Sequence, residues 1–271
     1  MIIQERVLKF LEKEDVAIIE ETGTFHIPDE VEIIGDEIFM DLPLISIDIP
    51  EGVLVIGESA FANCHLLEKV FLPDSLEMID QYAFAGCEKL KSIYLPEGLD
   101  TIEEGAFSGC SSLSSILIPS TVTFIGYFAF EGCVSLSSMR VDDDNETYDS
   151  RYDCNAIIET ENNKLLFGSY KTIIPEGIKI IGSGAFKKCR SLKVMHIPTS
   201  VHTIEFRAFE DCLYLMSILI PHSVPIIEDE AFAGCSNLTI LVEEYYQPID
   251  WSEQWNIDDL PVRWGVMDRL N

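Results

Sequence analysis

Positive charge is scarce in this 271-residue chain: 18 Lys and Arg stand against 47 Asp and Glu, a formal net charge of −29. That imbalance repels phosphate backbones and anionic headgroups, so nucleic acid and membrane surfaces are excluded as general partners. Long apolar runs are missing too, since no stretch approaches the roughly 18 consecutive apolar residues needed to span a bilayer. The opening segment MIIQERVLKFLEKEDV mixes both signs of charge among its apolar residues, unlike a signal peptide. A true start at Met1 implies a cytoplasmic protein, whereas a trimmed precursor implies a cell-surface or secreted one. C-x-x-C pairs are absent, and with them the commonest zinc arrangement. The chain also lacks G-x-S-x-G, H-E-x-x-H, a Walker loop and a dinucleotide fingerprint. The histidines at 26, 65, 196, 202 and 222 share no ligand spacing. The expectation is a protein with no catalytic residues, no cofactor and no metal. Apolar residues are abundant, at 47% with 10% aromatic, which excludes wholesale disorder.

What the chain does contain is one short unit, repeated. Cys64, Cys87, Cys110 and Cys133 lie 23 residues apart, as do Cys189, Cys212 and Cys235, and a Phe stands three residues before each of these seven. Pro50, Pro73, Pro96 and Pro119 keep the same interval, and so do Pro175, Pro198 and Pro221. One unit reads Leu72-Pro73-x-x-Leu76-x-x-Ile79-x-x-x-Ala83-Phe84-x-Gly86-Cys87-x-x-Leu90-x-x-Ile93-x-Leu95. Such an interval indicates a solenoid, because a unit this small cannot bury its own apolar face and does so against its neighbours. The alternation at Ile93, Tyr94 and Leu95 predicts a short strand with Tyr94 outward, ended by Pro96, which has no N–H to donate. Ala83 allows close approach, and the Phe residues of successive coils are expected to stack as a ladder. Gly86, Gly109, Gly132 and Gly234 suggest a turn with positive φ, but Asn63 and Lys188 at equivalent places argue that positive φ is not obligatory there.

The signature I-x-x-x-A-F-x-x-C-x-x-L-x-x-I-x-I-P, seen from Ile125 through Ala129-Phe130 to Cys133 and from Ile204 through Ala208-Phe209 to Ile220-Pro221, resembles the BspA-like, or treponemal-type, leucine-rich repeats. The resemblance covers residues 25–242 in repeats of 22–23 residues, with a modified repeat at about 142–174. It implies an α/β repeat solenoid: a right-handed leucine-rich-repeat superhelix with a parallel concave β-sheet, short turns or helical segments on the other walls, and a β-hairpin insertion formed by Ala156-Ile157-Ile158 and Leu165-Leu166-Phe167. It also implies non-enzymatic work, adhesion or protein binding at bacterial surfaces. Residues 1–24 read as an N-terminal cap with an amphipathic helix over 3–13, and residues 243–271, with Trp251, Trp255 and Trp264, as a C-terminal cap.

Outward positions of the concave sheet follow from the register: Phe71, Tyr94, Leu117, Arg140, Ile173, His196, Leu219 and Val242. The neighbouring row runs Lys69, Ser92, Ser115, Ser138, Val194, Ser217 and Ile240. An apolar outward row is unneeded by the core and suits a protein partner or a second copy of the chain. A self-associating array and an intracellular scaffold are the alternatives to adhesion. The repeated cysteines point in parallel and read as buried, reduced hydrophobes. Cys154, beside Arg151 in a segment expected to be exposed, is a candidate reactive thiol. The run Asp142-Asp143-Asp144-Asn145-Glu146 offers hard oxygen ligands but no EF-hand spacing, and reads first as a solvated acidic turn.

Overall fold

Proline after most outward segments, at 50, 73, 96, 119, 175, 198 and 221, and a pair of apolar residues further on oblige the chain to turn back within 23 residues, and this sets the architecture. The structure is a computed structural model that describes residues 10–11 and 23–266. Among the described residues the chain forms stacked coils of short, mostly parallel β-strands with almost no helix. It divides into two compact units, one comprising Met1–Leu113 with Thr121–Ala129 and the other Ser114–Ser120 with Phe130–Asn271.

In the first unit a six-stranded parallel sheet forms from two-residue strands, Phe10–Leu11, Ile33–Ile34, Val55–Ile56, Met78–Ile79, Thr101–Ile102 and Phe124–Ile125. Phe10–Leu11 is therefore strand where the sequence reading expected helix, and the rest of that expected helix lies outside the described residues. Ser46–Asp48 pairs parallel with Lys69–Phe71 on the other wall. Ser92–Leu95 makes no ladder, so the outward wall is not one continuous sheet, although the alternation survives: Ile93 and Leu95 are buried and Tyr94 is exposed. Phe39, Phe61, Phe84 and Phe107 stack at centroid distances of 4.9, 5.1 and 5.5 Å with interplanar angles of 7°, 2° and 4°.

In the second unit Ser115–Ile118 pairs with Ser138–Val141, and Val194–His196, Ser217–Ile220, Thr239–Val242 and Val262–Trp264 form a four-stranded parallel sheet. Ala156–Glu159 and Lys164–Gly168 pair antiparallel, and Lys164–Gly168 then continues in parallel to Ile180–Ile181. Phe167 meets Phe130 edge-on at 5.4 Å, and Phe186, Phe209 and Phe232 resume the stack at 5.0 and 5.5 Å. Phe232 meets Trp255 edge-on, Trp251 packs on Trp255 and Trp264, and Trp251 Nε1 donates to Val224 O at 3.0 Å.

The walls that were expected to carry helical segments carry turns, apart from one 3-10 turn at Arg151–Asp153 among the described residues. The cause is a pair of left-handed residues four apart in each coil, such as Tyr82 (φ 55°) with Gly86 (φ 71°) and Arg207 (φ 55°) with Asp211 (φ 58°), which stop any helix after one turn. Positive φ is thus kept at the position before the repeated cysteines whatever the side chain, including Asn63 (φ 58°) and Lys188 (φ 56°), contrary to the reading that it is dispensable. Hydrogen bonding explains why. The N–H groups of Tyr82, Phe84 and Gly86 donate to Glu104, Ala106 and Ser108 of the next coil at 2.9, 2.8 and 2.7 Å, while the intervening Ala83, Ala85 and Cys87 donate within their own turn. Alternation of that kind demands backbone directions that a right-handed helix cannot supply. Gly86 is further constrained, because a Cβ there would lie 2.6 Å from Asn63 Oδ1.

Candidate functional site

Parallel pairing in register places the outward side chains one above another. In the first unit Asp48 pairs with Phe71, and Ile47 with Val70, so the inward pair is buried and the outward pair faces solvent. Phe71 is 59% exposed and Tyr94 66%. In the second unit Leu117 pairs with Arg140, and Leu117 is 49% exposed. Ile173 is 78% exposed and held by its own N–H, which donates to Cys154 O at 3.1 Å. His196 is exposed and pairs with the half-buried Leu219.

Val242 does not belong to this row. It pairs with the inward Ile220 and is 0% exposed, while Leu241 pairs with Leu219 and takes the outward place, followed by Arg263. The last repeat is one residue shorter, and a one-residue slip exchanges the two faces of a strand. For the same reason Ile240 is buried and Thr239 stands in the neighbouring row. Arg140, unlike its apolar neighbours, is committed to an ion pair between Nη2 and Asp153 Oδ1. That pair lines a cleft of about 650 Å³ together with Leu117, Asp142, Tyr152 and Asp149.

No disulfide joins the eight cysteines, and seven of them are buried. Their thiols do more than fill space, because each of several donates to the carbonyl of the Phe one coil back: Cys64 to Phe39 at 3.0 Å, Cys87 to Phe61 at 3.2 Å, Cys110 to Phe84 at 3.2 Å, Cys212 to Phe186 at 3.1 Å and Cys235 to Phe209 at 3.0 Å. A small side chain with a weak donor fits that position better than Ala or Ser, since it stays apolar and still reaches a carbonyl. Burial pushes the Cys64 and Cys189 thiols up to about 12 and those of Cys87 and Cys110 well above their ordinary range.

Cys154 is not in an exposed segment. It is 3% exposed, and burial pushes its thiol up to about 11, with Arg151 only weakly opposing, so the thiolate needed for reactivity is suppressed. Arg151 instead faces Asp149, with Nε 2.9 Å from Oδ1, and donates through Nη1 to Asn163 Oδ1 at 2.9 Å. Within the acidic run, Asn145 is buried and fully occupied by the backbone: Nδ2 donates to Pro119 O at 2.7 Å, and Oδ1 accepts from Thr147 N at 2.9 Å and Tyr148 N at 2.8 Å. Asp142 Oδ1 accepts from Asp144 N at 3.0 Å. These are turn-forming bonds. Among the described residues, no group of three His, Cys, Asp or Glu side chains is placed to hold a metal ion, and no helix is long and apolar enough to cross a membrane.

A second surface feature had no counterpart in the sequence reading. Tyr170, Arg190, Ser191, Lys193, Val194 and Tyr214 line an open groove of about 650 Å³ in the second unit. The signal that could have found it is local charge: between Lys164 and Lys193 lie seven of the 18 cations and a single carboxylate, Glu176.

Stacked 23-residue coils, a Phe ladder and buried thiols bonded across coils define the class: a bacterial-type leucine-rich repeat β-solenoid with an outward row of unburied apolar side chains. The profile of the BspA type leucine rich repeat region matches residues 21–155 and 168–245 in six copies, and the chain belongs to that family. Among solved structures it is similar to a leucine-rich repeat protein from Bacteroides ovatus, with 27% identity, a TM-score of 0.50, and coverage of 88% of this chain and 70% of that one. It is similar also to the pneumococcal vaccine antigen PcpA, with 23% identity, a TM-score of 0.56, and coverage of 79% and 54%. The T. pallidum leucine rich repeat protein shares 22% identity at a TM-score of 0.42, with coverage of 79% and 77%. None of the curated proteins matches the chain.

Proposed function

We propose that the chain is a non-enzymatic protein-interaction module that binds a partner protein through exposed apolar side chains, Phe71 and Leu117 on strands and Tyr94 and Ile173 outside any ladder, with adhesion at a bacterial surface as the setting. Members of the family are typically protein-interaction modules. The observation that carries the reading for this chain is the exposure of large apolar side chains that the fold does not use: Phe71 and Tyr94 in the first unit, Leu117 and Ile173 in the second. Aromatic side chains of this kind dominate binding energy where they can be desolvated by a partner. The surrounding net charge of −29 makes association fastest with a partner of basic or mixed charge.

Sedimentation velocity across a wide concentration range separates this reading from a self-associating array. The expected result is a monomer at every concentration, with a partner captured by the wild type and lost by Phe71→Ser/Tyr94→Ser and by Leu117→Ser/Ile173→Ser, while all melting temperatures stay nearly unchanged. Self-association abolished by either variant would replace the foreign partner with a second copy. Capture that survives both variants would overturn the reading.

A further inference from the structure

One stretch of this acidic chain carries an excess of positive charge. Residues 164–193 carry seven cations and one carboxylate, leaving 11 cations against 46 carboxylates elsewhere, so the net −29 divides into +6 and −35. Part of that excess is structural: Lys164 pairs with Glu205 at 2.8 Å, Lys187 with Glu210 at 3.0 Å and Lys188 with Glu131 at 2.8 Å. Arg190 and Lys193 are different. Both are exposed, neither forms an ion pair with any described residue, and both line the groove that Tyr170, Val194 and Tyr214 complete. Tyr214 is 61% exposed and Val194 62%, and the Nζ of the exposed Lys171 lies 5.9 Å from the ring centroid of Tyr170.

Two unpaired cations beside unburied aromatic and aliphatic surface form a site with two requirements, negative charge and an apolar side chain. We propose that this groove docks an acidic peptide segment of a partner protein, with its carboxylates on Arg190 and Lys193 and an apolar side chain against Tyr170 and Tyr214. Charge complementarity selects that occupant. Screening limits the reach of surface charges to about 8 Å at physiological salt, so a short acidic segment meets the local excess of cations while an extended polyanion also meets the carboxylates around it. Arg suits carboxylate in particular because its fork can bind both oxygens. The groove uses none of Phe71, Tyr94, Leu117 or Ile173, so the proposal goes beyond the reading above and is tested independently of it.

The test is fluorescence anisotropy of a labelled synthetic peptide of alternating Glu and Phe, titrated with the whole chain at low and at physiological salt. A Lys-Phe peptide and a single-stranded oligonucleotide are run beside it. The expected result is saturable binding of the Glu-Phe peptide that Arg190→Glu/Lys193→Glu weakens by about tenfold or more and Tyr214→Ser weakens as well. Lys89→Glu, an exposed charge reversal in the first unit, and Tyr94→Ser leave it unchanged. Circular dichroism checks that each variant is folded, and Arg190→Gln/Lys193→Gln replaces the double reversal if that variant unfolds. Absence of saturable binding, binding undiminished by loss of the two cations, or tighter binding of the oligonucleotide than of the acidic peptide would each overturn the proposal.

Discussion

Replacing Phe84 tests how this solenoid is held together. Its ring is 0% exposed and lies between Phe61 at 5.1 Å and Phe107 at 5.5 Å, nearly parallel to both. Truncation to Ala removes a fully buried aromatic and leaves a cavity, at a cost of about 3–5 kcal/mol. Since a domain's whole stability is about 5–15 kcal/mol, that single change should shift the urea midpoint far down or abolish folding. Phe84→Leu is the more discriminating change, because it keeps most of the volume and removes the ring contacts, each of which contributes about 0.5–1.5 kcal/mol beyond area burial. A double-mutant cycle by urea unfolding then isolates the stack. Phe61→Leu with Phe84→Leu should couple by about 0.5–1.5 kcal/mol. Phe39→Leu with Phe84→Leu, which skip one ring, should add within about 0.5 kcal/mol. Equal coupling in both cycles, or none in either, would refute the account of the ladder as a chain of nearest-neighbour contacts.

The corrected register yields a paired expectation: Val242→Ser buries a hydroxyl at a 0% exposed site and should cost about 2–3 kcal/mol. Leu241→Ser, on the outward side, should cost within about 1 kcal/mol, and the reverse ordering would restore the original register. The thiols give a pH dependence. In the unfolded chain they ionise near 9.0, whereas burial holds Cys64 and Cys189 up to about 12 and Cys154 up to about 11. The unfolded state therefore loses its thiol protons first, so their contribution is fully present below about 9 and is lost as pH rises from there toward about 12. Iodoacetamide at mildly alkaline pH should leave the folded chain unmodified at Cys154 while labelling it in urea, and rapid labelling of the folded chain would show that its burial is wrong.

The repeat, the ladder and the family were legible in the sequence because they rest on periodicity. A coil that must bury its face against the next one imposes the same apolar residue at the same interval, and Phe, Cys and Pro at 23 residues are that constraint written out. Outward positions could be counted from it as far as the period was strict, which brought Phe71, Tyr94 and Leu117 to the surface and failed at Val242, one residue past a shortened repeat.

Other features depend on atoms brought together only by folding. Left-handed residues paired four apart are invisible where the side chain is Tyr82 or Arg207, because the next coil's carbonyls, not the residue's own preference, select the conformation. Cys154 looked exposed because local composition cannot show what covers a side chain, and the coil packed over it does. Arg190 and Lys193 are ordinary surface charges by sequence. That they stand unpaired beside Tyr214, while Lys187 and Lys188 a few residues earlier are neutralised by Glu131 and Glu210, was decided by which coils their side chains meet in the fold. Sequence alone determined the repeating hydrophobic contacts, since these recur at a fixed interval along the chain. Tertiary structure decided the polar partnerships, because carbonyls, thiols and charges find each other across coils, where linear spacing does not say which of them will be left unpaired.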